Sequence, residues 1–290
     1  VNFVISEANF DLAESPVVKI DDNTTEVEWV YDSVQDVWNG NVSFTEVGEY
    51  KLTAEFSDRS GNEMALYDHT ICINNSVPVV EVSFTGSPVV NEIYSEDRVA
   101  TINIKDALFD ANNVNVIVNA VNGSGESVDI SAKDYSGYAK NIENWIENSG
   151  TYTLVLPEFD IDAIYTFDIS YVNMAGTSAA DYTEYSFSVD KTGPVNIKIS
   201  YSTPVLEKII EAITFGFYNA EIIVTVTAED SVSDVDYFVI TFTDSSLGVD
   251  GSLATYKTEQ LDAVCMEDGK TYFATHAIDQ KAKGSFSVEA

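Results

Sequence analysis

Carboxylates are the chemistry-bearing side chains this chain has in abundance, and one tight group falls late, at Asp230, Asp234 and Asp236. Oxygen ligands crowded into one loop can hold Ca²⁺, and Asp190, in an upstream linker, would help such an ion stiffen a junction between modules. The spacing lacks the turn glycine and closing glutamate of an EF-hand loop, so a calcium ion here would be structural. Other reaction chemistry finds less support. His69 and His276 are the only histidines and lie far apart, which rules out a histidine-pair zinc motif. No nucleophile-elbow sequence surrounds a serine, and no phosphate-cradling loop or dinucleotide glycine fingerprint is present. Asp160 and Asp162 could be read as a glycosidase acid pair, but among 48 acidic residues such pairs arise freely. No catalytic residue, and no cofactor beyond that calcium, is expected.

The elements that would position these groups are strands. At 290 residues, with 45% apolar and 12% aromatic side chains, the chain can build two or three ordinary cores. Tyr50–Phe56, Ile102–Ile104, Val114–Val118, Tyr165–Tyr171 and Ile222–Ala228 alternate apolar and polar residues, as half-buried strands do. A segment Glu7-Ala-Asn-Phe10-Asp11 returns as Asp106-Ala-Leu-Phe109-Asp110, followed each time by a tyrosine-led strand and a glycine turn. The turns, Asp58–Asn62 and Asn173–Thr177, read as hairpin tips in which Gly61 and Gly176 take positive φ. Each unit closes on a proline, Pro78 and then Pro194.

A strand-and-turn repeat of this size predicts an all-β chain of tandem immunoglobulin-like sandwiches with short helical insertions. The modules are expected at 1–77, 78–193 and 194–290, the first short of its opening strand and the third short of its last hairpin. The second is about sixteen residues longer than the first before its late tyrosine strand. That window holds Ile142, Trp145 and Ile146 at helical spacing, so a short helix is expected near 139–147, with Trp145 plugging the core. A second helix is expected near 204–213, capped by Thr203 and started by Pro204, with Leu206, Ile209, Ile210 and Ile213 on one face. Trp29 is expected in the core with Val27 and Tyr31 on the same face.

With 14 basic against 48 acidic residues the formal net charge is −34, which repels phosphate backbones and anionic lipids. Nucleic-acid binding and membrane insertion are therefore not expected. Cys72 and Cys265 fall in different expected modules, so no disulfide within a module is expected. A large disulfide-free surface protein of this kind is typical of Gram-positive bacteria. Sequons at Asn23, Asn41, Asn74 and Asn122 matter only in a glycosylating host. For partner binding the candidates are aromatics beyond the needs of the core, Tyr135, Tyr138, Tyr182 and Tyr185, beside loops and polar edges.

The chain resembles the tandem immunoglobulin-like domains of large surface proteins from Gram-positive gut bacteria. The resemblance rests on Glu7–Asp11, Trp38-Asn-Gly40, Gly48-Glu-Tyr50, Asp58-Arg-Ser-Gly61-Asn62, Phe159–Tyr165 and the linker Val189-Asp-Lys-Thr-Gly-Pro194. It continues through Tyr201–Pro204, Phe215–Tyr218 and Thr227–Val235, and so spans most of the chain. The departures are Thr177 and Gly193, where asparagine and alanine are usual, and Asp234, where glycine is common. The likeness implies a monomeric acidic rod, anchored to the cell wall in the full-length protein, that captures a host protein. Immunoglobulin is the named partner, since some surface proteins of this build bind it as superantigens do. A structural stalk and a carbohydrate-binding module remain the alternatives.

Overall fold

Along the strand Ala163–Tyr171 every second side chain turns inward, so Ala163, Tyr165, Phe167, Ile169 and Tyr171 are buried while their neighbours face outward. That alternation builds two facing sheets, since one apolar face needs another to cover it. The computed structural model describes residues 1–8, 10, 16–202, 222–244, 255–278 and 284–290. The described residues are all-β apart from short helical turns. The helix expected near 204–213 lies outside the described residues. Among those described, no helix is long and apolar enough to cross a membrane.

The middle stretch shows the architecture most fully. One sheet runs Trp145–Asn148, Thr151–Val155, Ala100–Lys105, Val79–Phe84. The other runs Val114–Val121, Ala163–Tyr171, Tyr182–Val189, Ile93–Tyr94, the last strand parallel to its neighbour. Without the short parallel strand Ile93–Tyr94, this is the strand order of an immunoglobulin constant-type sandwich. At the entry to Ala163–Tyr171 the Tyr165 hydroxyl donates to the Ile161 carbonyl at 2.8 Å, the tyrosine corner of that fold. Tyr50 makes the same bond to Glu46 at 3.1 Å in the preceding stretch. There the sheets are Asn2–Ile5, Val37–Asn41, Trp29–Asp32 and Asn23–Thr25, Val17–Ile20, Gly48–Glu55, Tyr67–Ile73. The last stretch pairs Val195–Ser202, Ile222–Glu229, Thr271–Ile278 and Val264–Cys265 in one sheet, with Thr255–Asp262, Tyr237–Asp244 and Gly284–Glu289 in the other. Among the described residues, buried side chains gather into three clusters, one per stretch, and the middle one is the largest.

Trp29 enters the first core, but Tyr31 does not. It sits toward the end of an edge strand, 47% exposed, and its hydroxyl donates to Asp36 at 2.6 Å. Trp38 stacks on Phe10 at 4.5 Å. Gly40 pairs with Trp29 across the sheet, and a Cβ there would stand 2.8 Å from Val27 and 2.9 Å from the indole.

The helix expected near 139–147 lies earlier, at Tyr135–Lys140, followed by a 3₁₀ turn at Ile142–Asn144. Trp145 instead opens a strand opposite Leu154, and Ile142 and Ile146 are exposed. The helical spacing was overridden by a hairpin whose turn, Ser149-Gly150, takes positive φ at both residues. Trp145 is nonetheless buried as expected, its indole donating to the Ala139 carbonyl at 2.7 Å.

Three turns share one design. Asp58, Asn122 and Asn173 each accept amide hydrogen bonds from two and four residues on, at 2.8 to 3.1 Å. Gly61, Gly125 and Gly176 each follow at positive φ, with open space around a notional Cβ. The first and third are legible in the sequence; the second, at Asn122, shows there only as a sequon.

The acid of the repeated segment fastens a linker. Asp106, 4% exposed, accepts from the Asn74 amide at 2.6 Å and from the Tyr171 hydroxyl at 2.7 Å, while Ser76 donates back to Asn74. Burial, then this bond to Asp106, pushes the Tyr171 hydroxyl pKa upward. Replacing Asp106 by alanine would strand two buried donors. We expect a loss of about 2–3 kcal/mol in urea denaturation, with faster proteolysis across residues 73–78. Gly40→Ala is expected to cost about 2–3 kcal/mol through overpacking. Gly176→Ala should cost only about 1 kcal/mol, the price of its backbone conformation. Denaturation curves of the two glycine variants check that order.

Candidate functional site

The residues around Asp230 sit where the linker from the middle sandwich enters the last one. Asp230 follows Ile222–Glu229, and its amide donates to the Lys270 carbonyl at 2.9 Å. Asp106 holds the matching position one unit earlier, donating to Gly150 at 3.1 Å. The partners then diverge: Asn74 meets Asp106, whereas Asp190 stands in the corresponding place of the later linker. Asp230 is 7% exposed, and its carboxylate accepts the amides of Val232 and Ser233 at 3.0 Å. Burial above all, reinforced by the charge of Asp190, raises its pKa above the ordinary aspartate value.

The rest of the linker is pinned to the middle sandwich. Lys191 Nζ donates to Asp97 Oδ1 at 2.7 Å and to the Asp160 carbonyl at 2.6 Å. Asp162 accepts from the Lys191 amide at 3.1 Å and from Thr192 Oγ1 at 2.8 Å. Asp160 also pairs with Lys133 at 2.7 Å, which lowers its pKa. The two acids that resemble a glycosidase pair are thus engaged in fastening loops and a linker. On the other side of the joint the Gly123 amide donates to Ser231 O at 2.7 Å, and a Cβ on Gly123 would sit 3.3 Å from that oxygen.

The three carboxylates expected at a calcium site are not gathered as one. Asp230 faces backbone amides, Asp234 accepts the Tyr272 hydroxyl at 2.6 Å, and Asp236 is exposed. Among the described residues, no group of three or more His, Cys, Asp or Glu is placed to hold a metal ion. Asp190, Asp230, Asp234 and Asp236 instead line a cleft of about 710 Å³ between the middle and last sandwiches. His276 pairs with Glu259 at 3.1 Å, and the His69 ring lies 4.3 Å from that of Tyr67. Cys72 and Cys265 are free thiols in separate stretches.

The four tyrosines fare unequally. Tyr135 was expected at the surface and is instead 5% exposed. Its ring stacks on Phe159 at 4.9 Å, and its hydroxyl donates to Glu158 O at 3.1 Å. The helix Tyr135–Lys140 turns that residue inward to cover the end of the core. Tyr138 presents more ring to solvent, at 36% exposure. Tyr182 packs against Phe167 and Tyr185 and is half-buried.

Tyr185 belongs to a structure the sequence does not announce. Arg98, 3% exposed, lies 3.6 Å over the Tyr94 ring, 4.5 Å from Phe187 and 4.8 Å from Phe84. It donates to Thr85 O at 3.1 Å and to the Tyr185 hydroxyl at 3.2 Å. Glu92 Oε2 accepts from the hydroxyls of Tyr94 at 2.9 Å and Tyr185 at 3.0 Å, bonds that lower the Glu92 pKa. Burial, then the bond to Glu92, pushes Tyr94 up to about 12.

One pH dependence follows from Asp230. Its folded pKa lies above its unfolded one, so ionisation costs stability at neutral pH, and the cost is relieved as pH falls through the raised value. Asp230→Asn keeps acceptors for the Val232 and Ser233 amides. We expect it to raise the melting temperature at pH 7 and to flatten the gain seen on acidification toward pH 4.5, measured by thermal denaturation.

No family model and no curated protein matches this chain. Among solved structures it is similar to SGBP-B of the Bacteroides ovatus mixed-linkage glucan utilization locus, solved in complex with a mixed-linkage heptasaccharide. The match covers 96% of this chain and 72% of the other, at 13% identity and a TM-score of 0.17. At that score the likeness assigns no ligand or site here.

Proposed function

We propose that this chain is a non-catalytic binding rod of a bacterial cell surface, made of three sandwich modules at about 1–77, 78–193 and 194–290. The observation that carries this reading is the fastening of both linkers. The Asn74 amide is bonded to the Asp106 carboxylate, and Lys191 to the Asp97 carboxylate and the Asp160 main-chain carbonyl, so these acids fasten linkers. A serial array with pinned joints suits display of a surface at a distance from its anchor. Its partner is a host protein, with immunoglobulin the first to test, on the strength of the likeness to surface proteins of gut bacteria. The same pinned joints suit a structural stalk that binds nothing, which is the rival reading.

The test is capture. Immobilised chain exposed to serum and intestinal secretions is expected to enrich antibody regardless of antigen specificity, read by mass spectrometry and confirmed with purified immunoglobulin. A chain that enriches no host protein, and is silent on a glycan array, is a stalk. A glycan hit without protein capture would mark a carbohydrate-binding module.

A further inference from the structure

We propose that the cleft between the second and third sandwiches seats an extended basic peptide segment of a partner protein, with lysine or arginine flanked by apolar residues. The inference deepens the binding-rod reading and rests on it. A volume of about 710 Å³ is ample for several side chains, and one wall is apolar and held in place. Val89 and Val90 are 70% and 54% exposed on a tight turn. Asn91 and Glu92 at its tip both take positive φ, 44° and 62°, and two backbone bonds close it, Val89 N to Ile93 O at 2.7 Å and Ile93 N to Val90 O at 2.8 Å. Glu92 is anchored in turn by the Tyr94 and Tyr185 hydroxyls. Tyr237, 43% exposed, lines the cleft from the third sandwich. Apolar side chains left exposed in a fixed concavity are the usual sign of a contact site.

The charge of the cleft selects the partner. Asp190, Asp230, Asp234, Asp236 and Glu289 all line it. The lysine among them, Lys191, has its ammonium bound to Asp97 and to the Asp160 carbonyl. A cleft lined by one sign of charge focuses its field and draws in the opposite sign. A free amine or an amino sugar would answer the carboxylates and leave the valines and Tyr237 uncovered. A basic side chain carried between apolar ones covers both.

The experiment uses the whole chain and a fluorescein-labelled hexapeptide of alternating arginine and valine, followed by anisotropy. Arginine–serine and glutamate–valine peptides of the same length are the comparators. Saturable one-to-one binding of the arginine–valine peptide is expected, with both comparators at least about tenfold weaker. Two surface variants, Val90→Ser with Tyr237→Ser and Asp236→Asn with Glu289→Gln, should each weaken it by about tenfold while leaving the melting curve in place. Equal affinity for the arginine–serine peptide, or variants that bind as well as the parent, would overturn the proposal. Antibody capture by the same variants separates the two readings. Capture that persists in variants alongside absent peptide binding defeats the cleft alone. Peptide bound at the cleft with no antibody captured defeats the antibody partner and leaves the cleft standing.

Discussion

A carboxylate withdrawn from water must find donors, and the way this chain meets that demand at Asp106 organises everything around it. The Asn74 amide reaches it from the linker and the Tyr171 hydroxyl from the sheet, so one buried charge ties a connecting segment to the core beyond. Neither donor is local to Asp106 in sequence. The bond therefore forms only when the linker and the sandwich are both in place, which makes the joint part of the fold instead of an appendage to it.

The later joint starts from the same frame and reaches a different balance. Asp190 replaces the asparagine, so two acids meet where the earlier joint has an acid and an amide. The linker is compensated from the outside, through Lys191 and the loop acids Asp97 and Asp162. The inner side is left negative and open, and that is where the cleft lies. At this one position an acid beside the cleft stands where the earlier joint has an amide. The net charge of −34 adds to the effect, since a cation approaching that recess meets few competing basic side chains on the way.

What could be read from residues alone was local and periodic. Alternation along Tyr165–Tyr171 is set by the pleat itself, and the glycines of the tips at Gly61 and Gly176 are set by backbone sterics, so both are visible in a single stretch. Trp145 was placed in the core correctly but in the wrong element. Its spacing with Ile142 and Ile146 fits a helix, and only the partner strand holding Leu154 decides otherwise. Tyr135 was misjudged because a short helix, not its polar neighbours, sets which way its ring turns. The Arg98 stack draws on residues from Phe84 to Phe187, and the cleft on two sandwiches. No window of sequence contains either. Asp190 stands opposite Asn74 when the two proline-ended linkers are set side by side in sequence, but the match of Asp230 to Asp106 emerges only once the strands are paired, so the sequence shows these acids as ligands for an ion.

The bond between Asn74 and Asp106 also bears on how the protein can be made. Asn74 begins a sequon, and its amide nitrogen is the atom to which a eukaryotic secretory pathway would attach a sugar chain. That nitrogen is the donor to Asp106 and is buried, whereas Asn23 and Asn41 stand in the open. A chain decorated at Asn74 before folding would have to close its first joint around a branched oligosaccharide, and would emerge with its leading sandwich hinged loose from the rest.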